Sequence, residues 1–97
     1  MTNTPEVGIQ DEPRPDSGLP LALYYARRIV SAELPPYKGA RRIWLEVANE
    51  YIDKPAIWDE LRIFVYLATE CDDRPAERAE LEQEIRDEAR KLLERHA

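Results

Sequence analysis

The chain has 97 residues, a net charge of −6, and 35% charged against 43% hydrophobic residues. This length allows one domain at most, and the single cysteine excludes an internal disulfide framework. No apolar run approaches the roughly 20 residues that a membrane-spanning helix needs. The first residues have neither the basic nor the apolar region of a signal peptide. We therefore expect a soluble, cytoplasmic, acidic protein that does not enter a membrane.

The first 18 residues are compositionally distinct from the rest. They contain three prolines, two glycines and four acidic residues, and their only large aliphatic side chains are Val7 and Ile9. Such a segment can bury little apolar surface. The composition predicts a disordered tail over 1–18 and a single domain over 19–97; a tail docked on the helices is the alternative.

Two amphipathic helices are predicted next, over 21–33 and 39–52. Pro35 and Pro36 are expected to end the first, because the residue before a proline is pushed out of the helical conformation. We expect Trp44, and Trp58 in the following helix, to pack in the core. The apolar face of the second helix has the clearest helical spacing in the chain, with Ala40, Ile43, Trp44, Val47, Ala48 and Tyr51.

The third predicted helix, over 56–71, is apolar on most sides, because Ile63 and Leu67 add a second strip beside Phe64. We expect such a helix to be the central one. A buried strand over 63–67 is the alternative, which the length of the pattern disfavours. The fourth helix, over 76–95, carries a narrow apolar stripe on a charged surface. Together these patterns predict an all-α fold: a compact four-helix domain with a disordered N-terminal tail.

One segment carries a resemblance. Residues 37–44 read Tyr-Lys-Gly-Ala-Arg-Arg-Ile-Trp. The order resembles that of a group of small bacterial proteins in which a helix, a Tyr-x-Gly-Ala-Arg-x-Ile-Trp turn and helix, an apolar helix ending in acidic residues, and a charged C-terminal helix follow one another. The resemblance covers residues 22–95. It implies a bacterial source and an all-helical domain, and it implies no functional site. The later residues that share the order are Phe64, Ala68, Glu70, Asp72 and Asp73.

The chain has few candidates for catalysis or metal binding. Cys71 falls on the apolar side of its helix, and a catalytic role would require a base such as His96, near a helix end that we expect to fray. Glu70, Asp72 and Asp73 form an acidic cluster, for which we expect capping and solvation at the start of the last helix. A magnesium or calcium cage needs more converging oxygens, so a metal-dependent enzyme is the less favoured hypothesis. We therefore expect no enzymatic activity, no cofactor and no metal.

The middle of the chain is its only basic part. Residues 19–52 contain five basic and three acidic residues. If the first two helices lie antiparallel, the basic side chains could form a patch for an acidic partner or a phosphate. The alternative is that Arg28 and Arg42 pair with Glu46, Glu50 or the acidic last helix and are structural, or are merely solvated. The predicted partner-binding residues are Arg27, Arg28, Lys38, Arg41 and Arg42.

These observations favour a small non-enzymatic protein-binding module, such as an inhibitor, an immunity-like protein or a regulatory subunit. A nucleic-acid-associated regulator using the basic patch is the alternative, which the acidic total disfavours. If the basic patch is not the contact, we expect an apolar contact through Leu45 and Ile52, which lie off the main stripe of the second helix.

Overall fold

The computed structural model describes residues 12–97, and every regular element in that range is a helix. The four helices are α1 (Gly18–Val30), α2 (Pro36–Glu46), α3 (Pro55–Asp73) and α4 (Arg78–Arg95), and short 3-10 turns (Ala48–Tyr51 and Pro75–Glu77) precede α3 and α4. The prediction of an all-α, compact four-helix domain is confirmed. The predicted disorder of residues 1–11 lies outside the described residues. None of the described helices has the length and apolarity needed to cross a membrane.

All four helices contribute to one core. Its largest fully buried side chains come from α1 (Leu21, Ile29), α2 (Ile43), α3 (Leu61, Phe64, Leu67) and α4 (Ile85, Leu92). The most buried helix is α1, with seven buried residues in 13, whereas α3 has five in 19. The prediction that the third helix is central is therefore wrong: of its second apolar strip, Leu67 is buried but Ile63 is only half-buried.

The end of α1 is formed by a left-handed alanine rather than by the two prolines. Ala32 has a φ of 68°. Its N–H donates to the carbonyl of Ile29, and the N–H of Glu33 donates to the carbonyl of Arg28, so two helix-terminal carbonyls are satisfied. The helix therefore ends at Val30, three residues before the predicted boundary.

Pro36 begins α2 instead of ending α1. It is the first residue of α2, where the missing N–H of proline has no helical acceptor to lose. The helix then ends at Glu46, because Val47 leaves the helical region with φ −127° and ψ −61°. The predicted helix over 39–52 is thus divided into α2 and a 3-10 turn.

A glycine allows α1 and α2 to approach closely. A Cβ atom added at Gly39 would lie 2.4 Å from Cγ1 of Ile29 and 2.5 Å from its Cδ1. Real carbon atoms do not approach so closely, so any other residue would push the two helices apart. This contact fixes α2, and with it the basic side chains of the second helix, against α1.

The segment 12–17 lies against the helices. Glu12 pairs with Arg27 of α1, and Arg14 pairs with Glu46 of α2 at 2.5 Å. For these residues the structure shows the docked alternative.

Candidate partner-binding surface

The five predicted basic residues do not form a single patch. Lys38, Arg41 and Arg42 line one hollow on α2, together with Tyr37, Leu45 and Glu46. Arg28 and Arg42 line a second hollow, together with Arg14, Tyr24 and Tyr25. Arg27 lines neither. The structure thus brings the three basic residues of α2 together and separates Arg27 from them.

The two arginines of α1 are engaged in ion pairs. Arg27 pairs with Glu12, with its Nε 3.2 Å from one carboxylate oxygen. Arg28 donates to Glu33 at 2.6 Å, and its guanidinium carbon lies 4.7 Å from the centre of the Tyr24 ring. Arg28 is thus paired, as the structural alternative expects, but with Glu33 and not with Glu46, Glu50 or the last helix.

Glu46 is the acceptor at the centre of a network that joins the segment 12–17, α1 and α2. The hydroxyl of Tyr25 and the guanidinium of Arg14 each donate to Glu46 Oε1 at 2.5 Å, and Arg42 donates to Oε2 at 3.2 Å. Burial of the Glu46 carboxyl raises its pKa, but the hydrogen bonds from Tyr25 and Arg14 outweigh burial, so the pKa lies below its ordinary value. Arg42 is thus tied to a charged carboxylate.

The remaining basic residues of α2 share a face with an exposed leucine. Lys38, Arg41 and Leu45 recur at i, i+3 and i+7 and share one face of α2. Lys38 is exposed and makes no ion pair within residues 12–97. Arg41 is 3.9 Å from Asp72, and the exposed fraction of Leu45 is 51%. We call these three residues the α2 face.

Aromatic rings hold the guanidinium of Arg41 in place. It lies 5.8 Å from the ring centres of both Tyr37 and Trp44. Trp44 is half-buried rather than fully enclosed, as is Trp58 on α3, so both rings pack at the edge of the core. The prediction that they pack in the core therefore holds for one side of each ring.

Tyr37 connects this face to the other two helices. Its hydroxyl donates to Asp72 of α3 at 2.6 Å, and the guanidinium of Arg78 at the start of α4 lies 4.2 Å from its ring centre. The hydrogen bond to Asp72 and then burial raise the pKa of Tyr37. The sequence analysis did not predict this bridging role, because it placed Tyr37 before the start of the second helix.

The acidic cluster lies elsewhere than predicted. Glu70, Asp72 and Asp73 belong to the last turn of α3, because this helix continues two residues past Cys71. Glu70 accepts from Arg74 at 2.7 Å. The predicted capping of the last helix by these residues is therefore wrong. In the part of the chain that the structure describes, no three His, Cys, Asp or Glu side chains converge as metal ligands.

Cys71 and His96 have different surroundings. Cys71 is buried in the core, and burial raises the pKa of its thiol. His96 Nε2 lies 2.6 Å from Oε1 of Glu60 on α3, and Nε of Arg95 lies 3.4 Å from the same oxygen. The hydrogen bond from His96 is the largest cause that lowers the pKa of Glu60. The end of α4 is thus attached to α3, contrary to the expected fraying.

A second open surface lies along α3 and α4. It is a groove of about 640 Å³ whose apolar lining comes from Trp58, Ile63, Val65 and Tyr66. Tyr66 is 55% exposed, the largest exposure of any aromatic side chain of α3. The charged residues around the groove are Asp59, Glu60, Arg62, Glu88 and Arg95.

No family model matches the chain, and neither a curated protein nor a solved structure matches it.

Proposed function

We propose that the protein is a small non-enzymatic protein-binding module, of the inhibitor, immunity-like or regulatory-subunit kind. Its contact surface is the α2 face, and it recognises an acidic segment of the partner. The observation that carries this proposal is the row of two cations, Lys38 and Arg41, followed on the same face of α2 by the exposed Leu45. A half-apolar, half-basic surface fits a peptide segment that combines an apolar side chain with carboxylates.

Both cations are available to a partner. Lys38 has no carboxylate partner among residues 12–97. Arg41 is paired only at 3.9 Å with an exposed carboxylate, and such a pair contributes little to stability and exchanges easily.

Arg41 is also partly ordered before binding. Two aromatic rings restrict its guanidinium, so less side-chain entropy is lost when a carboxylate binds.

The distribution of charge favours specific binding over nonspecific binding. The whole chain carries a net charge of −6, so most of its surface repels an acidic partner. Only an approach that places the acidic segment on the α2 face is favourable, and this restricts the orientation of the complex.

A protein partner is favoured over nucleic acid by the state of the other arginines. Arg27, Arg28 and Arg42 already donate to carboxylates. Binding to a phosphate backbone depends on the number of phosphates that are neutralised, and two available cations supply few.

The test begins with capture of the partner from an extract of the source organism, followed by titration calorimetry with the purified partner. Replacing both Lys38 and Arg41 by glutamate should weaken binding at least tenfold, about 1.4 kcal/mol. Lys54→Glu, which makes the same change of charge per site outside the α2 face, should have an effect of less than about twofold. Circular dichroism checks that all variants fold.

Two outcomes would contradict the proposal. If Lys54→Glu weakens binding as much as either substitution on the α2 face, the weaker binding is due to the change in net charge and not to a contact on this face. If Lys38→Glu and Arg41→Glu leave the affinity unchanged, the partner binds elsewhere. A captured partner that is DNA or RNA, with affinity falling as a power of the salt concentration, would support the nucleic-acid alternative.

A further inference from the structure

The outward face of α3 carries a self-complementary pattern. Pro55, Asp59, Arg62 and Tyr66 follow one another at intervals of four, three and four residues, and all four are exposed. This is the spacing of residues that meet along a helix–helix seam. Trp58 and Ile63, both half-buried, flank the strip on the groove. We call these six residues the α3 face.

We propose that the α3 face binds a second copy of the same chain, with the two α3 helices antiparallel about a two-fold axis. In such an isologous contact, residues at equal distances from the axis face one another. An axis between Glu60 and Leu61 places Asp59 opposite Arg62 of the second copy. It also places Trp58 opposite Ile63, and Tyr66 opposite Pro55. Every pair is then either acid with base or apolar with apolar.

The mixed charge of the surface favours a second copy over another partner. The groove is lined by both signs, with Asp59, Glu60 and Glu88 against Arg62 and Arg95. A partner of one sign would meet like charges on this surface, whereas a second copy related by the two-fold axis presents the opposite charge at each position of the strip.

The existing contact between the two charged residues does not prevent this exchange. Nε of Arg62 lies 3.6 Å from Asp59 within the chain, and the two side chains are 64% and 65% exposed. Such a pair is weak in water, so replacing it by the same pair between two copies costs little. The contact is limited to one helix of 19 residues, about 28 Å long, so we expect a weak, reversible dimer.

The experiment measures the molecular mass of the full chain by sedimentation equilibrium over a range of concentrations. The mass should rise from that of the 11.3 kDa monomer towards twice that value. Asp59→Arg and Arg62→Asp should each weaken the dimer at least tenfold, because each places like charges opposite one another. Both positions are exposed, and circular dichroism verifies the fold.

The decisive sample is the equimolar mixture of these two variants. Its dimer should recover to within about threefold of the wild-type affinity, because the introduced base then faces the introduced acid, and native Arg62 faces native Asp59. Tyr66→Glu should weaken the dimer without rescue in any mixture. Lys38→Glu, on the α2 face, should leave the dimer unchanged, which separates this inference from the proposed function.

Three results would overturn the inference. The first is a wild-type chain that stays monomeric at all concentrations. The second is a dimer that persists in both single variants. The third is a mixture that stays as monomeric as its components. Each would leave the α3 face to a different partner or to solvent.

Discussion

The two halves of the domain, α1–α2 and α3–α4, are held together in different ways. In the first half, Gly39 lets α2 approach Ile29 so closely that no side chain fits between them. In the second half, α4 buries only four of its 18 residues, and much of its surface is occupied by exposed ion pairs. Steric fit is not weakened by solvent or salt, whereas exposed pairs are. The first half is therefore positioned by steric fit, whereas the second half carries more of the exposed ion pairs among the described residues.

The turns of the two halves differ in backbone conformation. Ala32 holds a left-handed conformation between α1 and α2. Arg74, between α3 and α4, has φ −130°, which any residue adopts without strain. Of these two positions, Ala32 therefore carries backbone strain and Arg74 does not.

The largest effect should come from closing the gap between α1 and α2. Gly39→Ala places a methyl group 2.4 Å from Ile29 Cγ1, so the helices must separate. We expect a loss of about 1–3 kcal/mol in the free energy of unfolding. Chemical denaturation measures it.

The control for this substitution removes the opposing side chain. Ile29→Ala deletes the two nearest atoms that the new methyl group would meet and leaves Leu34 Cδ2 at 3.3 Å. In that background Gly39→Ala should be neutral or stabilising, because alanine is the better helix former by about 1 kcal/mol. Equal losses in both backgrounds would show that the close approach does not control stability.

The next effect, of opposite sign, lies in the turn of the first half. Ala32→Gly relieves the left-handed alanine, which costs about 1–2 kcal/mol, and glycine adds unfolded-state entropy of about 0.4–1 kcal/mol. We expect a net gain of about 0.5–1 kcal/mol in stability. Ser31→Gly is the matched control: its φ of −80° suits any residue, so the substitution should destabilise. If both substitutions lower the free energy of unfolding, the left-handed conformation of Ala32 is not strained.

These positions show where sequence reasoning succeeds. The four helices follow from apolar residues at helical spacing, since a core requires that spacing in any amphipathic helix. The same helical spacing places Lys38, Arg41 and Leu45 on one face of a helix. Pro36 was misassigned because a proline pair favours both the end of one helix and the start of the next. Ala32 carries no local signature of a left-handed turn, because glycine or asparagine usually takes that conformation.

The rest of the candidate site depends on contacts between distant residues. Glu46 lies 32 residues from Arg14 and 21 from Tyr25, and no spacing rule relates such positions. The same is true of Tyr37 and Asp72, which are 35 residues apart. The high burial of α1 also depends on which helices cover which faces. Sequence periodicity gives the faces of each helix but not their neighbours.

A smaller effect is the pH dependence of stability, to which Glu46 contributes in the first half and Glu60 in the second. Glu46 and Glu60 both have a lowered pKa, Glu46 because hydrogen bonds from Tyr25 and Arg14 outweigh burial, and Glu60 chiefly through His96. A carboxyl with a lowered pKa adds stability above its unfolded value of about 4.3, and this is lost as pH falls through the folded pKa. Replacing either residue by glutamine should flatten the loss of stability with acid. Denaturation midpoints measured between about pH 2 and 7 check this.

Salt distinguishes the two carboxylates. Glu46 accepts from three donors that join the segment 12–17, α1 and α2, whereas Glu60 interacts with two side chains at the end of α4. Adding about 1 M salt shortens the screening length to roughly 3 Å. It should reduce the acid dependence that is due to Glu60 more than that due to Glu46, because one donor to Glu46 is the uncharged hydroxyl of Tyr25. Equal reductions would show that the two halves are equally screened.

The smallest effect should be found on the outer surface of α4. Arg90 pairs with Asp87 at 3.1 Å, and both side chains are about half exposed. Arg90→Gln keeps a good helix former and removes only this pair, so we expect a loss of no more than about 0.5 kcal/mol, abolished by salt. A loss above about 1 kcal/mol would show that the charged surface of the second half does set the geometry. A loss within the expected range would agree with the small contribution that the inference assigns to the similarly exposed Asp59–Arg62 pair of the α3 face.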